Sequence, residues 1–322
     1  MKLVTFETQP GKVHIGAHLD STRIADFTAV DRSPEMATML GLIDGGPAAL
    51  ARAREILSAA AHVVDLASVR LLAPVPVPRQ MRDFLVFEKH LQQARESTFR
   101  RQNKEAPDLE ARVVTARAEG RFTPAPIWYK QPIYYKANRF SVIGTGQDIV
   151  WPRFAELLDY ELEFGIFISK TGSDIPREKA HEYIFGYTIF NDVSARDAQA
   201  AEMAGMLGPA KGKDFDTGNV LGPCIVTPDE LSDPDNLVMI ARVNGEEWSR
   251  GNSSTMHHKF ADIIAHASMS ETIHAGEFFG SGTVGGGCGL EFGRFLKPND
   301  VIELEVAGIG SIRNRIIRRG AS

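Results

Sequence analysis

Asp159-Tyr160-Glu161-Leu162-Glu163-Phe164-Gly165-Ile166-Phe167-Ile168 is the stretch on which the reading of the chain turns. It is dense in aromatic and β-branched residues and nothing breaks it until Gly172, so it predicts a strand whose side chains alternate faces with period two. Glu161 and Glu163 then share a face, about 7 Å apart. Two carboxylates so placed repel unless a cation lies between them, and oxygen-only ligands suit a hard ion such as Mg²⁺ or Ca²⁺. The same pattern also describes an edge strand with wetted acids and with Leu162, Phe164 and Ile166 in a core. The stretch by itself leaves both readings open.

Length and composition narrow the classes. A chain of 322 residues can bury a large core, in one large domain plus a small one or in two domains. No apolar run is long enough to span a bilayer, and the N-terminus turns polar by Glu7, unlike a secretory signal, so the expected location is the cytoplasm. Two cysteines, Cys224 and Cys288, make no disulfide framework and stand at no zinc-ligand spacing. A net charge of -5 argues against nucleic acid as the main partner.

Residues 1–75 read as a small separate unit of short strands (2–6, 13–17, 22–26) and an Ala-rich helix (47–61), with the boundary at Leu72-Ala73-Pro74-Val75-Pro76-Val77-Pro78. Asp83 and His90 are seven residues apart, two turns if the segment is helical, which would put them on one side. Residues 92–121 interleave acids and bases; this describes a solvated helix pair, and its place after His90 also allows an active-site lid. Residues 128–136 look strand-like. Residues 183–190 form another strand running into Asn191-Asp192, and Ser194 with Asp197 resembles a capping box. Arg196 and Gln199 would project from one side of the helix that follows. His257 and His258 read as surface or helix-start residues ahead of a helix ending at Ala267. Asn244-Gly245 marks a hairpin. The loop from Gly280 to Glu291 imitates a dinucleotide fingerprint without its strand-helix setting; its glycines instead let the backbone approach a ligand closely. Glu303 and Glu305 repeat the opening alternation at the end of the chain, where a solvated face explains it.

Taken in order, Asp83 to His90, Glu161-Leu162-Glu163, Asn191-Asp192-Val193-Ser194-Ala195-Arg196-Asp197-Ala198-Gln199, Leu207-Gly208-Pro209 with Lys213, and Gly282-Thr283 resemble the fumarylacetoacetate hydrolase family over residues 72–310. The resemblance implies an α+β, β-rich fold. A mixed β-roll catalytic domain over 76–322, with a charged lid-like segment at 92–121, would follow a small N-terminal domain over 1–75. It further implies Asp83, Glu161, Glu163 and Asp192 as ligands of Mg²⁺ (or Ca²⁺ or Mn²⁺). His90 matches the family's general base and Glu291 the acid that orients it. Arg196, Gln199 and Lys213 match groups that hold substrate and stabilise oxyanions, Tyr135 and Thr283 match substrate contacts, and Thr217 lies where a hydroxyl approaches the metal shell.

The implied activity is metal-dependent hydrolysis of a carbon-carbon bond in a 1,3-diketo acid, fumarylacetoacetate or acylpyruvate-like, with water activated by His90 and an enolate stabilised by the ion. The alternatives are decarboxylase, hydratase or tautomerase chemistry on a 2-oxo dicarboxylic acid in aromatic compound catabolism, or a non-catalytic, metal-stabilised binding protein. Leu85 and Met203 stand where fumarylacetoacetate-cleaving enzymes carry tyrosines. The partners implied are a small oxo-acid substrate and a second copy in a homodimer, with no nucleic acid and no membrane.

Overall fold

Alternating apolar residues at the start of the chain form β1 (Lys2–Gln9), β2 (Lys12–His18) and β3 (Arg23–Asp26). Helices α1 (Phe27–Val30), α2 (Met39–Asp44) and α3 (Gly46–Ala59) follow, then β4 (Val63–Asp65) and β5 (Arg70–Leu71). Past the proline-rich crossing come β6 (Met81–Phe84), α4 (Glu88–Gln102), α5 (Leu109–Ala118), α6 (Pro126–Lys130) and β7 (Tyr134–Lys136). Three short strands, β8 (Val142–Ile143), β9 (Ile149–Val150) and β10 (Leu158–Asp159), precede the long pair β11 (Leu162–Ile168) and β12 (Ile184–Asp192). Next are β13 (Ser194–Ala195), α7 (Arg196–Met203), α8 (Ala210–Lys213) and β14 (Asn219–Val226). The hairpin β15 (Val238–Val243) and β16 (Glu246–Asn252), α9 (Phe260–Ser268), β17 (Phe278–Gly280), β18 (Val301–Val306) and β19 (Gly310–Ile317) complete the computed structural model, which describes residues 1–319.

One large sheet runs β4-β3-β2-β1-β14-β12-β11-β17-β6-β7, and a second runs β16-β15-β18-β19-β9. The second packs on the first through β18 and β19 against β12 and β14. Phe164, Ile166 and Ile189 point into the core between them, with Ala241, Leu304 and Ile312 opposite. Phe167, Phe190, Leu221 and Phe278 point the other way, onto a core shared with Leu3, Ile15, Met39, Leu42 and Ile56. Strand β11 is therefore buried along its whole length rather than wetted on one side. Each such fully buried apolar side chain contributes roughly 1.5–3 kcal/mol, and the two buried faces fix the register, because a slip of one residue would exchange them.

This arrangement differs from expectation at several places. The first 75 residues, read as a separate unit, extend the large sheet through the β1–β14 pairing and have no core of their own apart from it. Asp83 lies in a strand and His90 sits in the first turn of α4 after Phe87, so they do not share a helix. The strand-like stretch at 128–136 starts as α6, with Pro126 at its first turn, and is extended only from Tyr134. Ser194 lies in β13 and donates to the Asp192 carbonyl, while Asp197 accepts from the Glu156 amide, so no capping box forms. His258 is buried against the Trp128 carbonyl, ahead of the helix that begins at Phe260.

Other expectations hold. Asn244 and Gly245 take positive φ in the β15–β16 turn, and Glu303 and Glu305 pair with Arg242. Segment 92–121 is a helix pair whose charges match internally, Arg100 with Glu96 and Glu110, and Arg117 with Glu96. Among the described residues no helix is long and apolar enough to cross a membrane.

The shared core makes the leading strands part of one cooperative unit. Leu221→Ala should cost about 2–5 kcal/mol and lower a single calorimetric transition; two separated transitions, only one of which moves, would contradict this account.

Candidate active site

Three carboxylates reach one end of the large sheet from three strands. Asp83 is the penultimate residue of β6, Glu163 is near the start of β11 and Asp192 ends β12. Strand β17 runs between β6 and β11, and its Gly280 pairs with Asp83 on one side and Gly165 on the other. A Cβ on Gly280 would meet Asp83 Oδ1 at 2.4 Å, so the missing side chain is what lets the acids converge across the strand. The chain then turns at Gly282, φ +78°, where a Cβ would strike the Phe84 carbonyl oxygen at 2.2 Å. Its amide donates to Asp83 Oδ1 (3.2 Å) and Glu163 Oε2 (3.0 Å), and the Thr283 hydroxyl donates to Glu163 Oε1 (3.3 Å). One carboxylate oxygen from each of Asp83, Glu163 and Asp192 lies within 4.8 Å of the others, and all three residues are buried.

Burial, and then the charge of Asp192, raises Asp83 well above the usual carboxylate range; burial and then Asp83 do the same to Glu163. Burial pushes Asp192 up to about 6 although Lys213 opposes it. Asp192 Oδ2 accepts from Tyr135 (2.7 Å) and Lys213 (2.7 Å), but its Oδ1 is buried with no partner among the described residues. One orphaned acceptor in a cluster of hard oxygen ligands fits a divalent cation of the Mg²⁺ or Mn²⁺ type, which Asp83, Glu163 and Asp192 would hold.

Glu161, expected as the fourth ligand, lies beside this cluster and meets two cations. Its carboxylate meets Lys213 Nζ at 2.5 Å and Arg196 Nη2 at 2.8 Å. Burial alone would raise Glu161, but Lys213 and Arg196 bring it down to about 2. Burial likewise works against Lys213, yet Asp192 and Glu161 hold it above its ordinary value. Arg196 Nη1 donates to Gln199 Oε1 (3.0 Å), which joins the two residues read from their spacing.

His90 is buried at the start of α4 with Nδ1 2.7 Å from Glu291 Oε1. Glu291 sits in a 3-10 turn, Gly289–Phe292, and accepts from the Gly286 and Gly287 amides. If Nδ1–H donates to Glu291, Nε2 is left as the basic nitrogen. His90 lies close enough to Glu161 to interact with it electrostatically, which ties the dyad to the carboxylate side of the site. The Thr217 hydroxyl accepts the Val150 amide (2.8 Å).

Asp159 is the residue that the spacing arguments missed. It is fully buried and accepts from Arg196 Nε (2.9 Å), from Gly289 (2.8 Å) and Leu290 (2.9 Å) and from the Tyr160 amide. One carboxylate thus fixes both Arg196 and the turn that carries Glu291. The signal in the sequence is an acid at the head of the apolar stretch 159–168.

A fumarylacetoacetate (FAA) hydrolase C-terminal family pattern matches residues 89–317. A curated relative, "Oxaloacetate tautomerase fahd2, mitochondrial" of Xenopus laevis, is 31% identical over 98% of this chain and 90% of its own length. The fumarylacetoacetate hydrolase EaFAH of Exiguobacterium antarcticum is similar in structure, with TM-score 0.74, 27% identity, and coverage of 99% of this chain and 100% of that one. A probable 2-hydroxyhepta-2,4-diene-1,7-dioate isomerase of Mycobacterium abscessus matches at TM-score 0.74 and 25% identity, covering both chains completely.

The strand register gives a direct test of the carboxylate cluster. Gly280→Ala should weaken Mn²⁺ binding at least tenfold by calorimetry while far-UV circular dichroism is unchanged, at a packing cost of about 1–3 kcal/mol. Unaltered Mn²⁺ affinity would place the ion elsewhere.

Proposed function

The chain belongs to the fumarylacetoacetate hydrolase family, and from that premise we propose that it catalyses metal-dependent proton transfer beside the carbonyl of a 2-oxo acid, interconverting keto and enol forms. The observation that carries this reading is the buried His90–Glu291 dyad next to a buried carboxylate cluster with an unpartnered Asp192 oxygen. A divalent ion held by Asp83, Glu163 and Asp192 would polarise the carbonyl and acidify the carbon next to it. His90 takes the proton from that carbon and returns it to oxygen; Glu291 keeps the ring oriented and stabilises its protonated form. Lys213 and Arg196 offset the negative charge that develops on the substrate. Gln199 fixes the Arg196 fork, and Tyr135 and Thr283 hold the carboxylates from either side.

The tautomerase relative, which matches almost the whole chain, supports this choice over cleavage. Leu85 and Met203 also argue against fumarylacetoacetate itself, since neither supplies a hydroxyl at the places where enzymes cleaving that substrate carry tyrosines. Carbon-carbon hydrolysis is the second reading, favoured by the likeness to a hydrolase at 27% identity. It uses the same base, with water rather than carbon giving up the proton. Assembly into a homodimer belongs to the same proposal, and light scattering tests it.

Proton NMR in D₂O with oxaloacetate and a panel of acylpyruvates separates the readings. We expect deuterium incorporation and keto-enol interconversion that stop on chelation and return with Mg²⁺; pyruvate appearing with a second acid would establish hydrolysis instead. His90→Ala should slow the reaction roughly 10²–10⁴-fold while retaining ion affinity. A full rate in that variant would show that the base lies elsewhere.

A further inference from the structure

Beside the His90–Glu291 dyad lies a cysteine that the proton-transfer reaction does not use. Cys288 stands at the head of the 3-10 turn Gly289–Phe292 and is fully buried, its backbone fixed by an antiparallel bridge to Glu161. Glu291 follows three residues later, the step at which side chains eclipse in such a turn, so its carboxylate comes back over the thiol. Cys288 Sγ lies 3.6 Å from Glu291 Oε1 and 3.9 Å from His90 Nδ1, and those two atoms are 2.7 Å apart. Local spacing hides this group, because His90 stands 198 residues before Cys288.

Sulfur, imidazole nitrogen and carboxylate oxygen are the donor set of a borderline-soft cation such as Zn²⁺, whereas the three carboxylates suit a hard one. A tetrahedral Zn²⁺ with bonds of about 2.0–2.3 Å keeps its ligand atoms about 3.4–3.6 Å from one another. Both distances from Sγ are already close to this; only the Nδ1–Oε1 pair has to open, exchanging its hydrogen bond for the ion. The Gly286 and Gly287 amides hold Glu291 in place from outside. Burial raises the Cys288 thiol well above its ordinary value, so the ion itself displaces the proton, which leaves to solvent. Thiolate and carboxylate then cancel the charge of the ion, and no net charge is buried. Access is over the imidazole, since 8% of the His90 side chain is exposed against 0% of the Glu291 side chain and 0% of Cys288.

We propose that His90, Cys288 and Glu291 form a Zn²⁺ site, separate from the carboxylate cluster, through which Zn²⁺ switches the enzyme off. With Nδ1 on the ion the ring proton stands on Nε2, the nitrogen that has to accept a proton from substrate, and the base is lost. The binding rests on the geometry; its inhibitory consequence rests on the reading of His90 as the base.

The test uses the full chain loaded with Mg²⁺. Calorimetry with Zn²⁺, and absorption spectroscopy with Co²⁺ in its place, should show one site filled alongside Mg²⁺ with the near-ultraviolet band of a sulfur–Co²⁺ bond. The band should persist in Cys224→Ala, which leaves Cys288 as the one cysteine, and vanish in Cys288→Ala together with at least a tenfold loss of Zn²⁺ affinity. Deuterium exchange into oxaloacetate should stop as Zn²⁺ fills the site, and whatever rate Cys288→Ala retains should resist the same Zn²⁺ concentration. Zn²⁺ binding without a sulfur band, or of undiminished strength in Cys288→Ala, would mean that Zn²⁺ has replaced Mg²⁺ among the carboxylates, and it overturns the proposal. A sulfur band with an unchanged exchange rate overturns the inhibitory role and removes His90 as the base, so the proton-transfer reading falls with it. No Zn²⁺ binding at all overturns the site and leaves that reading standing.

Discussion

An excess of buried negative charge organises this molecule. Asp83, Asp159, Glu161, Glu163 and Asp192 are all buried within one region, against Arg196 and Lys213 as the buried cations that touch them. Taking a carboxylate out of water costs several kcal/mol even after relaxation, so the arrangement persists only where each charge is matched or neutralised. Lys213 and Arg196 match Glu161 and Asp159; the remaining cluster is left with raised pKa values and an orphaned oxygen. A divalent cation would supply the missing charge, and the proposed chemistry rests on the same shortage.

The fold creates this imbalance through strand order. Inserting β17 between β6 and β11 would ordinarily separate Asp83 from Glu163 by two interstrand spacings, each about 4.8 Å. Gly280 removes the side chain that would stand between them, and the turn at Gly282 brings an amide to both acids. Covering β11 on both faces, by the second sheet and by the N-terminal helices, then excludes water from the acids it carries. The leading segment therefore acts on the site through burial, without placing a residue in it.

Much of the site was readable because it depends on short-range spacing. Glu161 and Glu163 share a face as period two requires, and Arg196 and Gln199 meet as helical spacing requires. What failed depended on distant partners. Alternation along β11 could not reveal that its second face is covered by residues from the first sixty, nor that Lys213 and Arg196 would both reach Glu161. The seven-residue step from Asp83 to His90 looked helical because nothing local marks the change from strand to helix at Phe87.

The central claim is where a cation would bind, and among the described residues two buried groups could compete for it: Asp83, Glu163 and Asp192, or His90, Cys288 and Glu291. Anomalous diffraction from a crystal of the Mn²⁺-loaded protein decides between them. The account predicts one peak among the three carboxylates, with His90 still bonded to Glu291. A peak at the His90–Cys288–Glu291 group would contradict it, because the ion would then occupy the base that the reaction needs free.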